Sequence, residues 1–67
     1  MNRQEKVAED CIKAIHSIEF ATGSLQDALQ ISIAVESIIL LDMIKQARAL
    51  QTQIDTLYGA INGSDES

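Results

Sequence analysis

A long stretch without helix breakers constrains this chain most. Residues 24–62 contain no proline, and Gly59 is their only glycine. Proline and glycine are the residues that most often end a helix, so nothing in this stretch favours a break. Its apolar residues recur at helical spacing. We therefore predict one long helix over residues 24–62, ended by Asn62-Gly63.

A shorter helix is predicted before it, from residue 2 to about residue 21. Its apolar stripe has spacings of four and three and consists of Val7, Cys11, Ala14, Ile18 and Ala21. Thr22-Gly23-Ser24 then resembles a turn, because Gly23 can close one helix and Ser24 can cap the next. The fold class is thus all-α, a helical hairpin with a short N-terminal helix and a long second helix. Residues 1–63 form a single domain, and residues 64–67 are expected to be a disordered acidic tail.

The long helix carries two apolar stripes. The first runs its whole length and is a heptad repeat from Leu40 onward; it comprises Leu25, Leu29, Ile39, Leu40, Met43, Ala47, Leu50, Ile54, Leu57 and Ile61. The second lies on the opposite side and comprises Ile31, Ala34, Val35, Ile38 and Leu41. A helix that is apolar on two sides is typically buried on both.

The predicted difference in helix length indicates a second chain. At 1.5 Å per residue the short helix spans about 28 Å and the long one about 57 Å, so a folded-back short helix reaches only to about Ile44. Either the long helix breaks near Lys45 to give a three-helix bundle, or another chain covers the rest. The lack of a breaker favours an antiparallel homodimer, a four-helix bundle. The predicted protein interface comprises Ile31, Val35, Ile38, Leu41, Met43, Ala47, Leu50, Ile54, Leu57 and Ile61.

Composition restricts the setting and the partners. The chain has 67 residues and one cysteine, so it has no internal disulfide, and a lone cysteine suits a reducing, cytoplasmic location. The longest apolar run, residues 38–41, is far below the ~20 residues of a membrane span. The formal net charge is −5, and the five basic residues are scattered rather than aligned. We therefore expect no membrane and no nucleic-acid partner.

Three residues invite a chemical role. Cys11 has no accompanying His–acid pair and lies on the apolar stripe, which predicts a small core residue. His16 has only Glu19 as a possible second metal ligand one turn away, which predicts an exposed histidine. Glu36 falls within the continuous stripe, either as a possible buried polar group opposite Asp10 or as a solvent-facing residue. We expect no enzyme activity, catalytic residue, metal, cofactor or small-molecule substrate.

The apolar faces favour an interaction module: an adaptor, inhibitor or regulator that pairs with itself and binds another protein. The stretch Gln46-Ala47-Arg48-Ala49-Leu50 resembles the second helix of small hairpin chaperones of type III secretion needle subunits, which are similar in size and acidity. That resemblance implies a co-chaperone that is unstable alone and docks its apolar stripe into a helical-repeat partner. The predicted architecture also resembles Rop-like RNA-binding dimers, but RNA contacts would need basic residues on one face.

Overall fold

The structure, a computed structural model that describes residues 2–63, is a hairpin of two antiparallel α-helices. Helix α1 is Arg3–Gln30, helix α2 is Ala34–Gly63, and residues 31–33 connect them. The hairpin measures 50 × 19 × 13 Å. The predicted all-α hairpin is confirmed. The predicted disordered tail, residues 64–67, lies outside the described residues.

Asn2 starts α1 by capping it. Its side-chain oxygen accepts a hydrogen bond from the Glu5 backbone N–H at 2.8 Å, and its amide nitrogen donates to the Glu5 carboxylate at 3.4 Å. This is a variant of the capping box: the Asn2 side chain caps the N–H of the third helical residue, but the Glu5 carboxylate accepts from the Asn2 side-chain amide rather than from the Asn2 backbone N–H. The sequence Asn-x-x-Glu carries that signal.

The predicted end of α1 near Ala21 is wrong, because Gly23 and Ser24 lie inside the helix. None of the described residues has a positive φ, so Gly23 is an ordinary helical residue. The row of residues that faces α2 continues past Gly23 with alternating spacings of three and four. All its members are at least half-buried: Ala8, Cys11, Ile15, Ile18, Thr22, Leu25 and Leu29. A helix-interior glycine costs about 1 kcal/mol, whereas each buried leucine contributes about 1.5–3 kcal/mol. Packing therefore outweighs the local turn signal.

Ser32 helps to close α1. The Ile31 and Ser32 N–H groups donate to the Ala28 and Leu29 carbonyls at 3.2 and 3.3 Å, which tightens the last turn of the helix. The Ser32 hydroxyl also donates to the Leu29 carbonyl, at 2.9 Å. The Ala28 and Leu29 carbonyls at the end of the helix are thus satisfied without a glycine.

Glu36 helps to start α2. Its carboxylate accepts from the Ile33 N–H at 3.2 Å, the reverse bond of a capping box. The Ser37 N–H donates to the Ile33 carbonyl at 2.9 Å, and the Ser37 hydroxyl shares a hydrogen bond with that of Ser32. The connection is therefore held by two serines and a glutamate.

The two helices have nearly equal lengths, 28 and 30 residues, so the predicted length difference is wrong. Helix α2 is continuous through Lys45, and α1 runs beside its full length: Arg3 and Val7 line one groove with Leu57 and Ile61. No part of α2 projects beyond α1 in the way the sequence predicted.

The core between the helices is a single thin layer. From α2, a second row with spacings of three and four faces α1 and is at least half-buried: Leu40, Ile44, Ala47, Gln51, Ile54, Tyr58 and Ile61. Among the described residues only Cys11 and Ile44, at 7 % and 6 % exposure, are buried. Such a layer leaves most of each helix's circumference uncovered.

Candidate protein interface

A row of large apolar side chains lies along one edge of α2. Met43, Leu50 and Leu57 are 43 %, 48 % and 49 % exposed. Seven residues make almost two helical turns, so these three side chains share one edge of the helix. They occupy one position of the predicted heptad, whereas the other position, at Ala47 and Ile54, faces α1. We call Met43, Leu50 and Leu57 the large-residue row.

A matching row of smaller side chains lies along α1. Val7, Ala14, Ala21 and Ala28 also recur every seven residues, and we call them the small-residue row. One groove contains members of both rows, and a second contains Ala28 and Glu36, which lies seven residues before Met43, so both rows border the same side of the hairpin. Val7 and Leu57 line the groove near the chain ends, and Ala28 lines a groove of ≈ 400 Å³ near the turn with Ile39 and Glu36.

A second exposed apolar surface surrounds the turn. Its side chains are 55 % to 87 % exposed, and we call it the turn-end patch: Ile31, Ile33, Val35, Ile38 and Leu41. The sequence predicted Ile31, Val35, Ile38 and Leu41 as a stripe opposite the first one, and α1 does not cover them. It missed Ile33, because that position was placed inside a helix rather than in the connection.

Glu36 is exposed in the hairpin, and its neighbours differ from those predicted. It lies beside Ala28 at the turn, not opposite Asp10. Lys13, the predicted counter-ion, instead pairs with Glu9 at 2.9 Å, and this hydrogen bond raises the pKa of Lys13 above its ordinary value. The observed contact of Glu36 is with the backbone at the start of α2.

The ten predicted interface residues fall into three sets. Ala47, Ile54 and Ile61 are half-buried towards α1, so their apolar character is largely explained within one chain. The large-residue row remains half exposed, and the other four belong to the turn-end patch. The sequence missed Phe20, which is 80 % exposed on the side of α1 away from α2 and belongs to neither surface.

The structure places the polar and titratable residues that the sequence singled out. Cys11 is buried between the helices, as its stripe predicts, and His16 is exposed. Within residues 2–63 no three His, Cys, Asp or Glu side chains are placed to hold a metal ion. Over the same residues, neither helix has an apolar stretch long enough to cross a bilayer. The Thr22 hydroxyl is buried without a hydrogen-bond partner among residues 2–63, and such an unsatisfied group is unfavourable by about 1–3 kcal/mol.

The exposed apolar surface is large relative to the core. A large apolar side chain left in water forgoes about 1.5–3 kcal/mol, and both the large-residue row and the turn-end patch remain at least 43 % exposed. Chains of this size seldom gain more than 3–5 kcal/mol from a single core. The arrangement therefore fits association with another polypeptide.

No protein-family model, no curated protein and no solved structure matches this chain.

Proposed function

We propose that this chain is a non-enzymatic protein-interaction module, an adaptor, inhibitor or regulator, that works as a homodimeric four-helix bundle. The observation that carries the proposal is the half-exposed large-residue row beside a core in which, among residues 2–63, only Cys11 and Ile44 are buried. We also propose a cytoplasmic location, since a lone cysteine suits a reducing compartment.

The heptad pattern supports the four-helix form. In such a bundle every helix packs against two neighbours, so each needs two adjacent apolar edges. In α2 one edge, with Ile44 and Ile54, already faces α1. The neighbouring edge, with Met43, Leu50 and Leu57, is left about half exposed within residues 2–63. A helix of a second copy would complete the packing.

The turn-end patch supports a further protein partner. Ile31 and Ile38 are 87 % and 70 % exposed, and Ile31 also lines the groove near the turn with Ala28. Exposed apolar clusters of this kind commonly mark interaction sites. An amphipathic helix or an apolar groove on the partner would suit them.

Leu50→Asp tests the dimer. We expect sedimentation equilibrium over a range of concentrations to give a dimer mass for the wild type and a monomer mass for Leu50→Asp, because a buried unpaired carboxylate opposes association. The matched control is Ile38→Asp, an equal change on the same helix but in the turn-end patch, which should keep the dimer mass. Circular dichroism on each sample reports whether the helices persist. A dimer mass for Leu50→Asp, or a folded wild-type monomer, would refute the proposed interface.

The thin core also suits a second candidate, the co-chaperone. A hairpin whose described part buries only Cys11 and Ile44 would depend on a larger partner for its stability. The same sedimentation experiment separates the two candidates. A wild-type chain that is monomeric and poorly helical would favour the co-chaperone, whereas a helical dimer would favour the proposed module.

A further inference from the structure

The two rows on one side of the hairpin are complementary in size, level by level. Val7 shares a groove with Leu57, and Ala28 shares one with Glu36. The residue numbers of each pair add up to 64, as do those of Gln30 and Ala34, which flank the turn, so residues paired in this way lie level. In an antiparallel hairpin this register is constant, so Ala14 lies level with Leu50 and Ala21 with Met43. The large-residue row therefore stands as a ridge beside a lower strip of alanines.

A second copy can meet this side in two symmetric ways, since a two-fold interface uses the same surface of both chains. With the two turns at opposite ends of the dimer, α2 packs on α2 and α1 on α1. With the turns at the same end, each α2 packs on the α1 of the other copy. Both arrangements keep facing helices antiparallel, so only the side chains distinguish them.

Side-chain size favours the second arrangement. When the turns share an end, residues of one level stay level, so Leu50 of each copy meets Ala14 of the other and Met43 meets Ala21. Large residues then fill the space that small ones leave, as close packing requires. With the turns at opposite ends, the ridges of the two α2 helices would meet and hold the alanine strips apart.

Area and charge agree with this interface. A side 50 Å long and 19 Å wide offers roughly 950 Å², against about 800 Å² per partner in a standard interface. Two charged residues border this side at its ends, Glu36 at the turn and Arg3 in the groove near the chain ends, and both are exposed to solvent. The other side of the hairpin is less suitable, because the helical period puts exposed Glu19, Arg48 and Asp55 on it.

We infer that a second copy of this chain docks with its turn at the same end, the large-residue row of each α2 seated on the small-residue row of the other copy's α1. This inference rests on the proposed homodimer and adds its orientation. It also brings the two turn-end patches to one end of the dimer, where a single partner can contact both.

Distances between spin labels test the orientation. In a Cys11→Ala background, Gln30→Cys puts one label at the turn end of each α1. With interhelical distances of 8–10 Å, the two labels should lie within roughly 30 Å when the turns share an end. With the turns at opposite ends they should lie about 40 Å or more apart, since α1, with 28 residues, is about 42 Å long.

A spin label near the middle of α2 distinguishes a dimer of the other orientation from a protein that does not dimerise. Ala49→Cys, in the same background, lies near the middle of α2 and on its exposed side, so it gives a short distance in either arrangement. A short distance at both sites supports the inference. A short distance at residue 49 with a long one at residue 30 overturns the orientation and leaves the dimer standing. No distance at either site overturns both the dimer and its orientation.

Discussion

Two short segments of this chain exchange the roles that their composition suggests. Thr22-Gly23-Ser24 has the residues of a turn, yet it lies inside α1. Residues 31–33 are Ile-Ser-Ile, with neither glycine nor proline, yet they form the connection. The difference teaches that the register of the apolar rows, rather than the best local turn sequence, decides where this hairpin bends.

The reason is the number of packed layers. A bend at residues 31–33 gives helices of 28 and 30 residues, so each level of α1 has a partner level in α2. A bend at Gly23 would pair only about half of α2. Local turn chemistry changes the free energy by about 1 kcal/mol, and one buried apolar side chain is already worth about 1.5–3 kcal/mol. The free energy gained from several additional packed layers therefore exceeds the free energy gained from one glycine in a favourable turn.

The largest expected effect comes from comparing a proline substitution within Thr22-Gly23-Ser24 with one directly after residues 31–33. Gly23→Pro should lower the free energy of unfolding by about 3 kcal/mol or more, because proline removes a hydrogen bond and clashes inside a helix. Ala34→Pro should change it by less than about 1 kcal/mol, because Ala34 is the first residue of α2, where proline is accepted. Urea unfolding at one fixed protein concentration measures both. A tolerated Gly23→Pro with a disruptive Ala34→Pro would place the bend at Gly23 after all.

A smaller effect of opposite sign is expected for Gly23→Ala. An added Cβ at Gly23 meets nothing within 4 Å, and the helical backbone there suits alanine. We expect the free energy of unfolding to rise by about 0.8–1.0 kcal/mol. Gly59→Ala, in an equally open position within α2, is the matched control and should give a similar rise. If Gly23 instead formed a left-handed turn, Gly23→Ala would destabilise the protein while Gly59→Ala would not.

The smallest expected effect concerns Glu36 at the real connection. Glu36→Ala removes the acceptor for the Ile33 N–H and should lower the free energy of unfolding by about 0.5–1 kcal/mol. Glu36→Gln retains an acceptor oxygen and should lose less, since both residues serve in capping boxes. Thermal melts of the two variants at equal concentration make the comparison. Equal losses would show that charge, rather than this hydrogen bond, matters at the start of α2.

Helical period and apolar spacing were sufficient to predict the hairpin, the heptad along α2 and the burial of Cys11. They were insufficient to predict where the chain bends. The row through Ile18, Thr22 and Leu25 contains the polar Thr22, and the neighbouring Gly23 indicates a turn. The stripe at Val35 and Ile38 was found from the same spacing, but it was expected to be buried; within the hairpin it is exposed, because a single neighbouring helix cannot cover a helix that is apolar on two sides. The pairing of rows by size needed the register between the helices, and that register depends on where the chain bends.

The described ends of the chain lie side by side. Asn2 and Asn62 line one small groove, at the opposite end of a 50 Å rod from the turn. Anything joined to either end, such as an affinity tag, a fluorophore or a solid support, therefore leaves the molecule at its far end. The hairpin can be attached through its chain ends while the turn-end patch, at the other end of the rod, remains accessible to a binding partner at a fixed distance from the attachment.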